Sequence, residues 1–322
     1  MNAWKYPATW LTLALAVAGG LAVFITRSPT LREEMFLLMM FVVLATSLNI
    51  LLGYTGYVNF GHIVFFGLGG YVGFYLISQQ GWPLWWAALA GGAASGLLAL
   101  LLGMATLRLR GAYFALVTIG VNEAVRAFIN NFSLFGGPTG MSVDFSVYQD
   151  YGGPATALWI IFGAMFGLTL VVLIVSYVVK FSRFGLGLMA IREDEDAAMV
   201  MGVRTPGAKT WAYVLSAVFP GIVGVLFFFK NGNVEPGDAF RLQMSIETIV
   251  MVMLGGQGTV LGPLVGSATY ERLRGYLLTS PLFKDLHLAF AGLLLLIIVL
   301  FVPAGLIGWL RQRFPRLRRY LQ

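Results

Sequence analysis

Long apolar stretches fill most of this chain, and they constrain its fold more than any other feature of the sequence. Hydrophobic residues make up 58% of its 322 residues, whereas charged residues make up only 11%. A soluble domain carries about 25% charged residues, so this chain has too few to cover a water-facing surface of its size. A soluble enzyme, a disordered chain and a coiled coil are therefore disfavoured. The sequence predicts an all-α, polytopic helical membrane protein.

Crossing the hydrocarbon core takes about 20 helical residues at a rise of 1.5 Å per residue. Ten stretches are candidates, at 10–26, 35–52, 60–78, 84–107, 112–130, 157–179, 211–229, 246–261, 263–279 and 287–309. The stretch at 112–130 is weak because it contains Glu123 and Arg126, and the region 246–279 can be two short helices or one broken helix. We therefore predict about 8–10 transmembrane helices, including broken ones, in a single domain over residues 1–322.

Lysine and arginine are concentrated in alternate loops. If the N-terminus lies inside, 13 of the 21 basic residues fall in four cytoplasmic segments, namely 1–9, 108–111, 180–210 and the C-terminal tail. Because cytoplasmic loops carry an excess of basic residues, this distribution predicts that both termini lie in the cytoplasm. It also explains the net charge of +7 by contact with anionic membrane lipid, so no nucleic-acid partner is expected.

The N-terminal region has some features of a signal peptide. Lys5 precedes an apolar run, and Ala16-Val17-Ala18 could pass for a cleavage site. The first apolar run is short and another follows directly, so we expect an uncleaved first span.

Side chains that could carry out chemistry are scarce. The chain has no cysteine and only two histidines, His62 and His287, so neither disulfides nor a histidine-built metal centre are expected. The sequence contains neither an HExxH motif nor the phosphate-binding G-x-x-x-x-G-K-[ST] loop. We predict a chain that is not an enzyme, with no catalytic residue, metal or cofactor of its own.

Glycine is unusually frequent, with 40 residues, and small residues let membrane helices approach closely. The GxxxG spacing occurs at Gly69/Gly73, Gly92/Gly96, Gly163/Gly167 and Gly262/Gly266. Helix packing is the expected role of most of these glycines. Glu123 and Arg126 are spaced i, i+3 on one helix, which predicts an ion pair near the outer interface or facing protein.

Two segments, 52–62 and 254–263, are denser in glycine than packing requires. Gly-interrupted apolar segments in corresponding halves of a chain are typical of a transporter's substrate path, because broken helices expose backbone groups to a cavity. We predict that the two breaks meet near the membrane middle and border a translocation path. The residues assigned to this path are Gly53, Tyr54, Gly56, Asn59, His62, Gly255, Gln257 and Gly258.

Residues 182–207 form the longest charged stretch and are too polar to span a membrane. The pattern predicts a short surface helix that ends at Gly202 and Pro206. Its apolar stripe is expected to consist of Leu186, Met189, Ala190, Ala197, Val200 and Met201.

Within this loop, Asp196-Ala197-Ala198-x-x-x-Gly202 resembles the E-A-A-x-x-x-G loop of ABC-importer permeases, with Asp in place of Glu. In that family the loop forms a coupling helix that docks on the ATPase. The resemblance implies this role for Arg192, Glu193, Asp194, Glu195, Asp196, Ala197, Ala198 and Gly202.

Taken together, the motifs resemble those of branched-chain amino-acid ABC-importer permeases of the LivM type, over about residues 35–309. The segments that carry the resemblance are 52–62 (LGYTGYVNFGH), 108–118 (RLRGAYFALVT), 136–140 (GGPTG), 182–202 and 254–266 (LGGQGTVLGPLVG). Asn59, where Ser is commoner, and Asn122-Glu123, where the family is usually more apolar, depart from the pattern. These departures bear on the exact substrate rather than on the family.

The resemblance implies a multi-pass protein of the bacterial cytoplasmic (inner) membrane. Its implied partners are a homologous LivH-type permease, two cytoplasmic ATPases that bind ATP and Mg, and a periplasmic substrate-binding protein. The implied substrates are branched-chain or other amino acids, with urea or short amides as the alternative. A stand-alone secondary transporter is disfavoured because Glu123, Glu247 and Glu271 are few acids for proton coupling.

Overall fold

The structure, a computed structural model, describes residues 7–279 and 305–313, together with the single residues 289, 292, 293 and 296. These residues form a bundle of α-helices, which confirms the predicted all-α class. The helices are α1 Pro7–Thr26, α2 Pro29–Thr55, α3 Ile63–Gln80, α4 Leu84–Thr106, α5 Ala112–Asn130, α6 Pro154–Phe181, α7 Arg183–Glu193, α8 Glu195–Val200, α9 Thr205–Asn231, α10 Pro236–Ala239, α11 Leu242–Gly255, α12 Leu261–Thr279 and α13 Gly305–Arg313.

A two-stranded antiparallel ribbon closes one end of the bundle. Its strands are β1, Met141–Ser142, and β2, Asn233–Val234. Three short 3-10 turns, Ser133–Phe135, Gly137–Thr139 and Phe145–Tyr151, complete the long connection between α5 and α6.

Five helices in the described part of the chain are long and apolar enough to cross a membrane, namely α2, α4, α5, α6 and α9. The expected polytopic membrane protein is thereby confirmed. The predicted span 246–261 corresponds to α11, whose 14 residues cover about 21 Å at 1.5 Å each and cannot cross the hydrocarbon core. The predicted span 287–309 falls mostly outside the described residues, so the total number of spans stays a prediction.

Glycine contacts hold α3, α4 and α9 together. A Cβ atom on Gly69 would lie 2.4 Å from the Cα of Gly221, and one on Gly224 would lie 2.1 Å from the carbonyl oxygen of Phe66. Such close backbone approach requires a glycine on at least one of the two helices at the crossing. The expectation of packing roles holds at three of the four GxxxG pairs, whereas the Gly163/Gly167 pair on α6 has no atom within 4 Å of either Cβ position.

The segments assigned to the cytoplasm meet at one end of the bundle, which we call the coupling end. Thr12, near the start of α1, contacts the hydroxyl of Tyr177 near the end of α6, with an oxygen separation of 3.0 Å. Arg110 after α4 bonds Asp196 of α8, and α13 begins against Gly256. At the opposite end, Lys230 pairs with Glu33. Lys5 and the tail beyond residue 313 lie outside the described residues, and the side of the membrane stays a prediction.

Cysteine labelling checks this orientation. Ser142 and Arg204 are exposed at opposite ends of the bundle, and the chain has no native cysteine that would react. In spheroplasts, a membrane-impermeant thiol reagent is expected to modify this chain in the Ser142→Cys variant but not in the Arg204→Cys variant, because basic loops stay inside. Inside-out vesicles should give the reverse pattern. Labelling of Arg204→Cys in spheroplasts would show that the predicted orientation in the membrane is inverted.

Candidate functional site

The coupling segment, residues 182–207, folds as two short helices rather than one. The Ser182 hydroxyl caps α7 by accepting from the amide of Gly185 at 3.0 Å. The Asp194 carboxylate caps α8 by accepting from the amides of Asp196 and Ala197, each at 2.9 Å. Gly202 then turns the chain with φ of +91°, a conformation that a β-branched residue would adopt only with strain.

The predicted apolar stripe on this segment is wrong for most of its members. The interruption at Asp194 changes the helical phase, so the buried apolar side chains are Leu188, Ile191 and Ala198. Of the predicted stripe, Met189 and Ala190 are half-buried, and the others are exposed. Met199, Val200 and Met201 form an apolar tip at the end of α8, and Val200 is 89% exposed. This tip offers an apolar surface to another protein.

An ion pair at the surface connects α8 to the end of α4. Arg110 donates two hydrogen bonds to the carboxylate of Asp196, at 2.7 and 2.9 Å. This bidentate contact lowers the pKa of Asp196 below its ordinary value, so the pair persists through the neutral range. Both side chains are largely exposed, so the pair orients α8 more than it stabilises the fold.

A second charged contact lies beneath it and is buried. Lys209, at the start of α9, donates to the carboxylate of Glu195 at 2.6 Å, to the Tyr57 hydroxyl at 2.9 Å and to the Leu107 carbonyl at 2.8 Å. Tyr57 in turn donates to Glu195 at 2.8 Å. The network therefore ties α8 to the α2–α3 connection, to the end of α4 and to α9.

Arg192 connects the coupling segment to both glycine-rich segments. Its guanidinium donates to the carbonyl of Gly53 at 2.7 Å. A Cβ atom on Gly258 would lie 2.9 Å from the same guanidinium and 3.0 Å from the Gly53 carbonyl. Only glycine leaves room for this approach, and Gly258 also has a positive φ of +76°.

The second glycine-rich segment is bound to α2 by Asn49, which lies just before the first segment. The Asn49 side chain donates to the Thr259 carbonyl and accepts from the Gly258 amide, both at 2.9 Å. The contact lies at the coupling end, where α2 finishes at Thr55, and not at the membrane middle as the sequence suggested. The reason is that α2 continues for 27 residues and does not break at Gly53.

The breaks inside the bundle lie elsewhere. The chain after α2 turns back inward, and α3 begins at Ile63, whose amide donates to the Ser245 hydroxyl near the start of α11 at 3.0 Å. The chain after α9 enters from the opposite end through Pro236–Ala239. This second entry is not among the predicted features, although Pro236-Gly237 between two apolar runs is a signal for it.

The polar residues assigned to the path are placed in different surroundings. Tyr54 contacts Ser176 on α6, with a separation of 3.1 Å between their hydroxyl oxygens. The Asn59 side chain accepts from the Gly61 amide, and His62 lies 3.3 Å from the Ser47 hydroxyl. Tyr54, Asn59 and His62 are buried, whereas Gln257 is half-buried. The role of these residues in transport stays a prediction.

A cavity of about 600 Å³ opens beside Gly56 at the coupling end. It is lined by Thr55, Gly56, Tyr57, Val58, Phe60, Arg110, Gly111, Ala112, Ala115, Ile191, Arg192, Glu195, Ile249 and Met253. Gly56, Arg192 and Glu195 were singled out by sequence; the α5 and α11 residues were not, because small and apolar side chains in a span carry no distinguishing signal. Within the described residues, no group of three His, Asp or Glu side chains could hold a metal.

The chain combines helices that span a membrane, two interior breaks, and a charged segment that binds the break after α2 through Tyr57. These features define the architecture of a transport subunit. A family model described as "Branched-chain amino acid transport system / permease component" matches residues 31–299, and the chain belongs to this family.

The relatives include two kinds of permease. LivM of Salmonella typhimurium is 29% identical over 307 residues, covering 85% of this chain and 69% of the relative. LivM of Escherichia coli is also 29% identical, covering 86% and 70%. LivH of Escherichia coli is 26% identical, covering 83% of this chain and 91% of the relative. All three are named high-affinity branched-chain amino acid transport system permease proteins. No solved structure matches significantly.

Proposed function

We propose that this chain is a permease subunit of an ATP-driven importer in a bacterial inner membrane, and that it forms part of the path for branched-chain or other amino acids. The observation that carries the proposal is the position of Arg192 and Glu195. One side of the coupling segment holds Gly53 and Tyr57 at the mouth of the cavity, while its other side presents the exposed apolar tip.

This arrangement suits transmission of movement. A partner bound to the tip would move α7 and α8 together, because Asp194 caps α8 directly after α7 ends. Glu195 and Arg192 would carry the displacement to the end of α2 through short charged hydrogen bonds. The coupling segment is thus the element whose position both an ATPase and the path could bias.

The partners follow from the same proposal. ATP and Mg would bind to two cytoplasmic ATPase subunits, since this sequence has no G-x-x-x-x-G-K-[ST] loop. The second permease would be a LivH-type homologue, since relatives of both kinds occur in Escherichia coli. A periplasmic binding protein would deliver the substrate. ATP hydrolysis would therefore belong to other chains of the importer.

The test is a pair of variants at Val200 in the reconstituted importer. Val200→Asp should abolish ATP-dependent uptake and release the ATPase during purification, because an aspartate at a buried apolar contact is unpaired. Val200→Leu keeps the tip apolar and should retain both properties. Because Val200 is 89% exposed in this chain, neither change should lower the chain's melting temperature. Full uptake by Val200→Asp would contradict the proposed docking.

Uptake by vesicles that contain the reconstituted importer distinguishes the substrate alternatives. Competition of labelled leucine uptake by isoleucine and valine, but not by urea or acetamide, would support an amino-acid importer. Uptake of urea alone would favour the short-amide alternative. Uptake that needs an ion gradient and no ATP would establish a secondary transporter instead.

A further inference from the structure

One face of α5 connects the open cavity to a pair of charged residues. Ala112 and Ala115 line the cavity, and Ile119, Glu123 and Arg126 follow at spacings that keep all five residues on the same side of a helix. The packed face of α5 adjoins this one, because Phe114, Thr118, Asn122 and Ile129 are its buried residues. The cavity lining on α5 ends at Ala115, and Glu123 and Arg126 lie on the same helix face further from the coupling end.

The charged pair lies level with the middle of the bundle. The Asn122 side chain donates to the carbonyl of Phe240 at 3.0 Å, and Phe240 packs against Gly67 of α3. Two residues further along α3, Gly69 meets Gly221, near the centre of the 27-residue helix α9. Glu123, next to Asn122, therefore lies level with the central part of α9.

Glu123 and Arg126 satisfy each other only partly. Their closest oxygen and nitrogen atoms are 3.6 Å apart, and the side chains are 55% and 40% exposed. The Asn122 amide also donates to Glu123 at 3.3 Å. Charged side chains at this depth are costly in lipid, so they face water or protein. The open cavity that Ala112 and Ala115 line on the same helix face favours water.

We propose that Glu123 and Arg126 line the aqueous passage and contact the zwitterionic group of an α-amino acid as it crosses. The carboxylate of Glu123 takes the α-ammonium, and the guanidinium of Arg126 takes the α-carboxylate. Their 3.6 Å separation leaves the pair open enough for exchange with a ligand of matching charges. This inference rests on the proposed function, and it assigns the contact to residues outside the glycine-rich segments.

Cysteine accessibility tests whether position 123 faces water. Leu97 of α4 is a matched control, because it is 59% exposed on a helix without any charged residue. In the assembled importer, a small charged thiol reagent should modify Glu123→Cys at least about tenfold faster than Leu97→Cys, since thiolates react in water and not in lipid. Saturating leucine should slow the reaction at Glu123→Cys. Equal, slow labelling at both positions would overturn the proposal and indicate a face covered by lipid or by the partner permease.

Transport kinetics test the contact. Glu123→Gln and Arg126→Gln should each raise the KM for leucine about tenfold, the effect of losing one hydrogen bond to a charged group. Their melting temperatures should stay unchanged. Glu271 and Arg274 form the other i, i+3 pair in the described residues, at 3.4 Å, and the corresponding Gln variants should leave the KM unchanged.

A charge exchange separates substrate contact from a structural pair. Glu123→Arg combined with Arg126→Glu rebuilds an ion pair but reverses its direction. Transport that remains impaired supports the contact, whereas full recovery means that only the pair matters and overturns it. If the unaltered importer carries no amino acid, the proposed function itself fails; if it does while Glu123→Cys is unreactive, only this inference fails.

Discussion

Replacing Glu195 by glutamine is expected to lower the free energy of unfolding by about 3–5 kcal/mol, the usual effect of removing one partner of a buried ion pair. The side chains of Lys209 and Glu195 are 4% and 12% exposed. Without the carboxylate, the ammonium keeps only neutral acceptors, the Tyr57 hydroxyl and the Leu107 carbonyl. A buried charge with no counter-ion then destabilises the junction of α8, α4 and α9.

Asp196 supplies the matched control for this prediction. It is the adjacent carboxylate on α8, but its side chain is 72% exposed and its partner Arg110 lies at the surface. Asp196→Asn should therefore leave the melting temperature nearly unchanged. A second variant, Glu195→Met with Lys209→Met, removes both charges and should recover much of the stability, since apolar residues of similar volume replace a buried pair well.

Thermal unfolding of the detergent-purified chain measures all three variants. The prediction fails if the Glu195→Gln and Asp196→Asn variants have the same melting temperature. The buried ion pair would then contribute no more to stability than the exposed one. Uptake by the double methionine variant adds a functional readout. If it folds but does not transport, the charges are needed for coupling as well as for the fold.

The helical class and most element positions could be predicted because hydropathy and helix length directly reflect the membrane. The nine predicted spans that lie wholly within the described residues each overlap a helix of the structure. The short helix α11 was taken for a span because Val260 and Leu261 extend its apolar run beyond the break at Gly256. Apolar composition alone does not distinguish a full crossing from a half-helix buried in protein.

The sequence identifies many residues of the candidate site, but it does not predict how they are arranged. The contact between Gly53 and Gly258 follows from the glycine density, but its position at the coupling end depends on the full length of α2. The buried pair of Lys209 and Glu195 was not predicted. A lysine in a basic loop and a glutamate in an acidic run are both normally exposed to solvent. Only tertiary packing shows that they are buried together.

Glycine-to-alanine changes should have opposite effects at Gly224 and Gly163. A methyl group on Gly224 would lie 2.1 Å from the Phe66 carbonyl oxygen and 3.0 Å from the Gly70 amide nitrogen. Backbone atoms cannot rotate away, so α3 and α9 must separate. We expect Gly224→Ala to destabilise the chain by about 3 kcal/mol, at the upper end of the usual range for overpacking.

Gly163 lies on α6 with no atom within 4 Å of its Cβ position. Alanine there adds helix propensity without a clash, so Gly163→Ala should raise stability by up to about 1 kcal/mol. The melting temperatures of the purified variants should therefore move in opposite directions from that of the unchanged chain. A fall at both positions would mean that α6 also packs closely in the purified protein, through a neighbour outside the described contacts. Unchanged stability at Gly224 would contradict the close crossing of α3 and α9, because a methyl group fits there only if the two backbones stand further apart.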